Sequence, residues 1–291
     1  MKRVLITGAN SYVGTNVEKW LMREHDKYYV ETLDMQNPKW EEFDFSGFDV
    51  VFHVAGIAHL KEKRKNKFLY FKVNRDLAIE VANKAKNANI KHFIFMSSMS
   101  IYGVTEGEIS MNTIPSPKGL YAISKFQAEL ILQRLNDKNF SVSILRPPMV
   151  FGSNSPGNYA KFRKLSMMIP LFPKLKNRRS VIYIDDLCYF IEKLISENRS
   201  GVYHPSSHDF FSTVNAYINI RKCNNKKVKT TVLLNIPVKL TSIISVRIRK
   251  LFGNLYYSES IDDFNMLIDS RVETLNINDA ILKIEKEVSG K

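Results

Sequence analysis

Five short apolar runs in the first half of the chain alternate with longer segments whose apolar residues recur every three to four positions. The runs are RVLITG, YYVETLD, DVVFHVAG, KHFIFMSS and SVSILRPP. Their nearly continuous apolar character predicts strands that are buried on both faces of a sheet. Helices are predicted between them, in SYVGTNVEKWLMREH, FKVNRDLAIEVANKAKNAN and YAISKFQAELILQRLND.

Repeated strand–helix–strand units predict an α/β fold, with a parallel sheet and helices on both of its faces. A doubly wound sheet is the simplest topology that keeps the crossovers right-handed. The segment between TLD and DVVFHVAG is short, so we expect one crossover helix to be reduced or absent. Beyond about residue 150 the pattern loosens into loops rich in Pro, Asn and Lys, with further helices in IYIDDLCYFIEKLISEN and NINDAILKIEKEV. We expect one domain over residues 1–150 and, over 151–291, mainly a smaller lobe with some segments that return to the core.

Composition and charge narrow the class of protein. The chain has 291 residues, of which 44% are hydrophobic and 25% charged, as is typical of a globular protein with a sizeable core. The net charge is +14, and basic residues cluster in KEKRKNK (61–67), KNRR (176–179), RKCNNKKVK (221–229) and RIRK (247–250). Such clusters attract nucleic acid, anionic lipid or phosphorylated small molecules, or they are only solvated. Nucleic acid is the least favoured partner, since no binding motif and no interleaved aromatic residues accompany the charge.

The sequence does not indicate export or a membrane span. The apolar segment at the N-terminus is too short for a signal peptide. The most apolar longer stretch, VLLNIPVKLTSIISV (232–246), is interrupted by Pro237 and Lys239 and is shorter than the roughly 20 residues that a membrane helix needs. Cys188 and Cys223 lie far apart, which is typical of a reduced protein. We therefore expect a cytoplasmic location, and peripheral membrane association through the basic clusters stays open.

The first apolar run leads into two glycines, in LITGANSYVG (residues 5–14). Gly8 and Gly14 stand six residues apart with Ser11 between them. A tight turn that leads into a helix N-terminus binds the pyrophosphate of a dinucleotide, because its backbone N–H groups and its dipole favour anions; a plain turn is the alternative. Asp34 follows Gly14 by 20 residues, where a carboxylate would bind ribose hydroxyls. Because a carboxylate repels a 2′-phosphate, the pattern favours NAD over NADP.

The segment YAISK (121–125) carries the strongest candidate chemistry. Tyr121 and Lys125 are four residues apart and therefore share one face of a helix. A tyrosine with its ordinary pKa of about 10 is a poor base at neutral pH, but a neighbouring ammonium and an oxidised nicotinamide lower that pKa. Such a tyrosine can accept a proton from an alcohol. The serine cluster MSSMSIYG (96–103) is predicted at the carboxyl end of a strand, where ligands bind in such sheets.

In their order and spacing these blocks resemble the extended short-chain dehydrogenase/reductase superfamily, and within it the NAD-dependent sugar epimerase/dehydratase group. The resemblance runs through LITGANSYVG, HVAG (53–56), SSMSIYG, YAISK, RPPMVFG (146–152) and RRSVIYIDDL (178–187). It implies a Rossmann-type doubly wound parallel sheet with a smaller C-terminal substrate lobe. Ser11 stands where the family's loop has its middle glycine, so the loop is interpreted as a cofactor loop with one altered residue.

The resemblance also implies roles for individual residues. The catalytic residues are Ser98, Tyr121 and Lys125. The cofactor-binding residues are Gly8, Ser11, Tyr12, Val13, Gly14, Asp34, Ala55, Gly56, Asn74, Tyr121, Lys125 and Pro148. The substrate-binding residues are Ser98, Ser100, Tyr121, Asn158 and Arg179, and the guanidinium of Arg179 is suited to grip the diphosphate. No metal ligand is implied, and a homodimer is implied by resemblance alone.

Two departures from the family's patterns narrow the reaction. Met99 and Ser100 follow Ser98, where the 4,6-dehydratases have an Asp-Glu pair, so dehydration is not favoured. Met149 stands where many UDP-hexose 4-epimerases have an asparagine that contacts the diphosphate. The chain looks closer to a branch that acts on UDP-N-acetylated sugars in bacterial surface polysaccharide pathways.

The function that this resemblance implies is an NAD-dependent nucleotide-sugar 4-epimerase of polysaccharide biosynthesis, acting on UDP-hexose or UDP-N-acetylhexosamine. An NAD(P)H-dependent 4-keto-sugar nucleotide reductase would use the same residues and is the first alternative. A non-enzymatic dinucleotide-sensing protein is the second, although such proteins generally lose the tyrosine–lysine pair.

Overall fold

The structure is a computed structural model that describes residues 1–58, 66–261, 263 and 274–290. Its strands are β1 (Lys2–Thr7), β2 (Tyr28–Leu33), β3 (Val50–His53), β4 (His92–Met96), β5 (Gly107–Ile109), β6 (Ser141–Leu145), β7 (Met149–Phe151), β8 (Phe172–Pro173), β9 (Val181–Tyr183), β10 (Gly201–Tyr203), β11 (Thr230–Thr231) and β12 (Leu255–Tyr257). Its α-helices are α1 (Tyr12–Leu21), α2 (Lys67–Phe71), α3 (Leu77–Asn87), α4 (Leu120–Leu135), α5 (Asn158–Met168), α6 (Ile184–Glu197), α7 (Thr213–Cys223), α8 (Asn235–Ile244), α9 (Val246–Phe252) and α10 (Ile277–Ser289).

Six strands form one parallel sheet in the order β10–β6–β4–β3–β1–β2. The five strands predicted from the apolar runs are all in this sheet, and the strands β3 and β4 are buried along their whole length. The sixth strand, β10, has three residues and begins with a glycine, so its apolar pattern is too short to predict a strand. The predicted α/β fold with a doubly wound parallel sheet is confirmed.

Helices cover both faces of the sheet and form a separate apolar layer on each. One layer includes α1 and α6, with Val17 and Leu187 fully buried. The other includes α3 and α4, where small residues such as Ala82 and Ala128 let the helices lie close to the strands. Since helices cover both faces of the sheet, the strands can be apolar at every position.

The connections from β2 to β3 and from β3 to β4 are irregular. The crossover between β2 and β3 is reduced to a 3-10 turn over Pro38–Glu41, anchored by the buried Trp40, as the short segment predicts. The helix predicted over residues 71–89 is interrupted, because a π-helical turn over Lys72–Asp76 joins α2 to α3. The cluster KEKRKNK lies outside the described residues from 61 to 65.

The second half of the chain contributes to the sheet and to a lobe beside it. Helix α6 packs against α1, and β10 pairs with β6, so residues 184–203 complete the sheet layer. Three two-stranded parallel ribbons, β5–β12, β7–β9 and β8–β11, connect the remaining segments. The division of the chain at residue 150 stays a prediction. Within the described residues, no helix is long and apolar enough to cross a membrane.

Candidate active site

The glycine turn after β1 brings the ends of three neighbouring strands together. Gly8 has φ +124°, and a Cβ atom there would lie 2.7 Å from the backbone N of Ala55. The N–H of Gly8 donates to the carbonyl of Leu33 at the end of β2, at 2.9 Å. The N–H of Ala55, just after β3, donates to the carbonyl of Thr7 at 2.9 Å. A side chain at residue 8 would therefore push apart the segments that follow β1 and β3.

Helix α1 begins directly at this turn. Ser11 is its N-cap, and the Ser11 Oγ accepts the N–H of Gly14 at 3.1 Å. A Cβ atom on Gly14 would lie 2.6 Å from that Oγ and 3.1 Å from a methyl group of Val54, so a side chain there would displace the Ser11 cap. The altered Ser11 thus serves the helix itself, while the N–H groups of Tyr12 and Val13, in the first turn, have no partner within the helix. These two groups are suited to bind an anion.

The backbone N–H of Tyr12 lies in the first turn of α1, whereas its phenol oxygen is buried and has no hydrogen-bond partner among the described residues. Its phenol lies in the interior, where a Cβ on Gly152 would approach the Tyr12 oxygen to 2.4 Å. Burial raises the pKa of that phenol well above its ordinary value. Asp34 follows β2 directly and is exposed, and one of its carboxylate oxygens accepts the N–H of Gln36 at 2.9 Å. The carboxylate therefore lies at the same sheet edge as the glycine turn.

The loop after β3 is held in place by a buried amide. Asn74, fully buried in the π-helical turn, accepts the N–H of Ile57 at 2.7 Å. The Asn74 Nδ2 donates to the Ile57 carbonyl and to the Ser124 Oγ, both at 3.1 Å. Asn74 thereby joins Ile57, the residue after the segment Ala55–Gly56, to helix α4.

Lys125 lies at the centre of the candidate site. Its Nζ donates to the carbonyl of Met96, the last residue of β4, at 2.7 Å, and lies 4.5 Å from the centre of the Phe95 ring. A Cβ atom on Gly56 would come within 3.3 Å of this Nζ. Burial lowers the pKa of Lys125 to about 7, and the negative charge of Glu129 acts in the opposite direction.

Tyr121 and Ser98 lie together in front of this lysine. The Tyr121 phenol and the Ser98 hydroxyl form a hydrogen bond, which lowers the pKa of Tyr121, whereas burial raises it and has the larger effect. The expected lowering by the Lys125 ammonium is not among these influences. Ser98 also caps the 3-10 turn over Met99–Tyr102 by accepting the N–H of Ser100 at 3.1 Å. The Ser100 Oγ is buried and has no hydrogen-bond partner among the described residues.

A buried charged network lies behind the catalytic candidates, and the sequence analysis missed it. The Glu129 carboxylate, one turn after Lys125, accepts the Arg146 Nη2 at 2.7 Å and Nε at 3.1 Å. Arg146 Nη1 donates to the Tyr102 phenol at 3.0 Å, and that phenol bonds the His204 Nε2 at 2.8 Å. The network joins α4, the end of β6, the turn after Ser98 and the end of β10.

The three remaining candidates lie on the side of the lobe. Arg179 is half-buried and its Nη1 donates to the Gly253 carbonyl at 3.0 Å. Burial lowers the pKa of Arg179, and the charge of Glu106 acts against this. Pro148 is buried between β6 and β7, and Asn158 is the exposed first residue of α5. No recorded contact within the described part of the chain links Asn158 to the other candidates.

Similarity to known proteins identifies the family of this chain. A family described as "NAD dependent epimerase/dehydratase family" matches residues 4–205, which is more than half of the chain. The chain belongs to this family. It is therefore an enzyme of the NAD-dependent epimerase and reductase class, with NAD as its cofactor.

Individual relatives are more distant. A UDP-glucose 4-epimerase of Vibrio cholerae is 27% identical over 69% of this chain and 68% of its own. An N-acetyl-alpha-D-glucosaminyl-diphospho-ditrans,octacis-undecaprenol 4-epimerase of Escherichia coli O157:H7 is 24% identical over 85% and 84%. The solved structure of a UDP-glucuronic acid 4-epimerase from Bacillus cereus in complex with NAD has a TM-score of 0.75 at 18% identity, covering 98% of this chain and 96% of its own. This last similarity bears on the fold alone.

The residues around the glycine turn fit the NAD that the family implies. Gly8 and Gly14 have no side chains, so Ala55 and Ser11 can lie close to them. Larger residues at either position would crowd the helix N-terminus. Two first-turn N–H groups and one exposed carboxylate suit a pyrophosphate and a ribose respectively. Among the described residues, no group of three or more side chains could hold a metal ion.

Proposed function

We propose that this protein is a 4-epimerase that acts on a nucleotide-linked sugar, a UDP-hexose or a UDP-N-acetylhexosamine, in polysaccharide biosynthesis. The observation that carries the proposal is the hydrogen bond between the Tyr121 phenol and Ser98, one helical turn from Lys125. This arrangement supports reversible proton transfer at a sugar hydroxyl. The names of the relatives from V. cholerae and E. coli, both 4-epimerases of sugars linked to a diphosphate, support the same reaction.

Each residue has a role that follows from its contacts. Bound NAD supplies a reversible hydride acceptor and, when oxidised, a positive charge. Tyr121 accepts the proton of the C4 hydroxyl as that carbon is oxidised. After the 4-keto sugar has rotated to present the opposite face of C4 to the cofactor, Tyr121 returns the proton to the C4 oxygen. Ser98 orients the C4 oxygen and shares its proton with Tyr121.

Lys125 binds the cofactor and Arg179 binds the substrate. One N–H of Lys125 is used by the Met96 carbonyl, and the charged form has two further donors for ribose hydroxyls beside Gly56. Arg179 can hold the diphosphate with two parallel hydrogen bonds. The cytoplasmic location and the homodimer stay predictions.

The test is turnover on a panel of UDP-sugars, with products resolved by stereochemistry and nicotinamide absorbance followed in parallel. An epimerase interconverts two C4 epimers with no net change in absorbance. Stoichiometric consumption of NAD(P)H by a 4-keto sugar would instead favour the reductase.

The assignment of the chemistry is tested by Tyr121→Phe, which removes the proton-accepting oxygen. Turnover should fall by at least about 100-fold, the range of general acid–base contributions, while NAD affinity stays within about three-fold. Tyr29→Phe is the matched control, because that phenol is exposed and bonds only Glu31 among the described residues. A Tyr121→Phe protein that retains full turnover would refute the proposed role.

A further inference from the structure

Helix α8 exposes a row of aliphatic side chains. The exposed residues of the helix are Ile236 (69%), Leu240 (61%), Ile243 (69%) and Ile244 (84%). They recur three and four positions apart and therefore lie on one face of the helix. We call them the α8 apolar face. Neither α8 nor α9 contains a buried residue, so this face is not part of the described core.

The surroundings of the α8 apolar face are strongly basic. Residues 138–184 and 210–258 each contain nine lysines and arginines and no aspartate or glutamate. The structure joins these two distant segments. Strand β8 pairs with β11, and the Asn177 side chain donates to the carbonyls of Leu251 and Gly253 at 3.3 and 3.4 Å.

Three of the four basic clusters, 176–179, 221–229 and 247–250, are thereby placed in this one lobe. Lys239, Arg247 and Lys250 are themselves exposed on α8 and α9. These exposed lysines and arginines therefore lie beside the apolar face, whereas Arg146 and Arg163, from the first segment, are paired with Glu129 and Glu285.

This surface adjoins the substrate side of the site. Helix α9 ends at Phe252, and the next residue, Gly253, accepts the Arg179 guanidinium through its carbonyl. The N–H of Gly253 in turn donates to the Arg249 carbonyl in α9, at 2.7 Å. The candidate diphosphate-binding arginine is thus hydrogen-bonded to the end of the helix pair that carries the apolar face.

We propose that α8 and α9 dock on an anionic lipid bilayer, and that the sugar diphosphate reaches Arg179 from that bilayer as a lipid-linked substrate. The docking rests on the surface alone, whereas the lipid-linked substrate rests also on the proposed epimerase function. An aliphatic face flanked by lysine and arginine is typical of helices that lie in a membrane interface. Anionic lipid headgroups complement the positive charge. The acyl chains of a bilayer can bury the aliphatic face, whereas a protein partner would need a groove of matching shape.

The experiment is co-sedimentation of the full chain with vesicles of phosphatidylglycerol and phosphatidylcholine in equal parts, or of phosphatidylcholine alone. We expect binding to the anionic vesicles. Binding should weaken as the salt concentration rises from about 0.1 M to about 1 M, because the Debye screening length falls from ~10 to ~3 Å. The double variant Ile243→Glu/Ile244→Glu should reduce the partition constant by about ten-fold or more. Lys239→Glu and Arg247→Glu should each reduce it by about five-fold or more.

The matched control is Ile114→Glu, because Ile114 is 83% exposed and lies outside the lobe's α8–α9 pair. It should bind vesicles as the wild type does. Absence of wild-type binding to anionic vesicles would overturn the proposal, as would equal losses in the control and the double variant. Concentration-dependent dimerisation that needs the α8 apolar face, without vesicle binding, would also overturn it in favour of a second copy of the chain.

Failure of the proposed function gives a different result. Turnover of a soluble UDP-sugar should be unchanged in Ile243→Glu/Ile244→Glu, whereas turnover of a polyprenyl diphosphate sugar in anionic vesicles should fall together with vesicle binding. Vesicle binding without turnover of any sugar would support the docking surface and refute the proposed epimerase function. Turnover of the vesicle-borne sugar that is insensitive to the double variant would refute the delivery from the bilayer.

Discussion

The buried pair of Glu129 and Arg146 gives the sharpest prediction about stability. The Glu129 side chain is 0% exposed and that of Arg146 is 10% exposed. The carboxylate accepts two N–H groups of Arg146 and the Ser97 hydroxyl. Glu129→Gln keeps the size of the side chain, removes its charge, and turns an NH₂ group toward at least one of these donors. Arg146 would then remain charged and largely buried without its counter-ion.

The expected loss is large because a buried charge is left without compensation. Removing one partner of a buried ion pair costs about 3–5 kcal/mol. Glutamine retains one acceptor oxygen, and the Tyr102 phenol still accepts from Arg146 at 3.0 Å. We therefore expect the lower end, about 3 kcal/mol, for the free energy of unfolding. At about 1–3 kcal/mol per molar urea, the unfolding midpoint should fall by about 1 M or more.

The assay is urea unfolding followed by intrinsic fluorescence and far-ultraviolet circular dichroism. Asp185→Asn is the control, because Asp185 pairs with Lys283 at 2.9 Å at the surface, with side chains 30% and 44% exposed. Such a pair contributes about 0–1 kcal/mol. If Glu129→Gln lost no more stability than Asp185→Asn, the reasoning from burial and charge would be refuted.

Two further predictions concern the cofactor side of the site. Gly14→Ala places a Cβ 2.6 Å from the Ser11 Oγ, so NAD binding measured by calorimetry should weaken by about ten-fold or more, in line with overpacking costs of about 1–3 kcal/mol. Adding Ser11→Ala to this variant should restore part of the NAD affinity. Absence of this rescue would contradict the steric explanation. Burial lowers the pKa of Lys125 from 10.5 to about 7, so the unfolded chain holds this proton at pH values where the folded protein releases it, and the folded protein gains stability as pH rises from about 7 toward 10.5. Lys125→Met removes this buried charge, so we expect the variant to be more stable than the wild type below pH 7 and the difference to shrink at higher pH. A difference in the free energy of unfolding that stays constant from pH 6 to pH 10 would show that Lys125 does not titrate in this range.

The sheet was predictable from the sequence because its strands are buried on both faces. Runs such as DVVFHVAG and KHFIFMSS have no regular polar alternation, which is typical of strands in a parallel sheet that is covered on both faces. Strand β10 was not predictable, since the three residues Gly201–Tyr203 become a strand only by pairing with β6. The helix over residues 71–89 was predicted as continuous because a π-helical turn preserves the apolar period on both sides.

The charged network behind the site shows where sequence reasoning ends. Glu129 and Arg146 are ordinary residues of a helix and of a strand end, 17 positions apart, and nothing in their spacing indicates a contact. The stretch 232–246 was noticed only as an interrupted apolar segment. Whether its side chains are packed or exposed depends on the neighbours of α8 in three dimensions.

The order of the strands explains why the position of the glycine turn could be predicted from the sequence and that of Arg179 could not. From β1 the chain adds β2 on one side and β3, β4 and β6 on the other, so the direction of winding reverses between β1 and β3, where a crevice opens at the carboxyl ends. The glycine turn after β1 and the segment Ala55–Gly56 after β3 must flank that crevice in any chain with this topology. Arg179 instead is positioned by the pairing of its backbone with Phe211 and Leu255, in a lobe of short ribbons that the winding rule does not constrain. The lobe can therefore vary in sequence while β4 and α4, the elements that position Ser98, Tyr121 and Lys125, keep their places in the sheet and its helical layer.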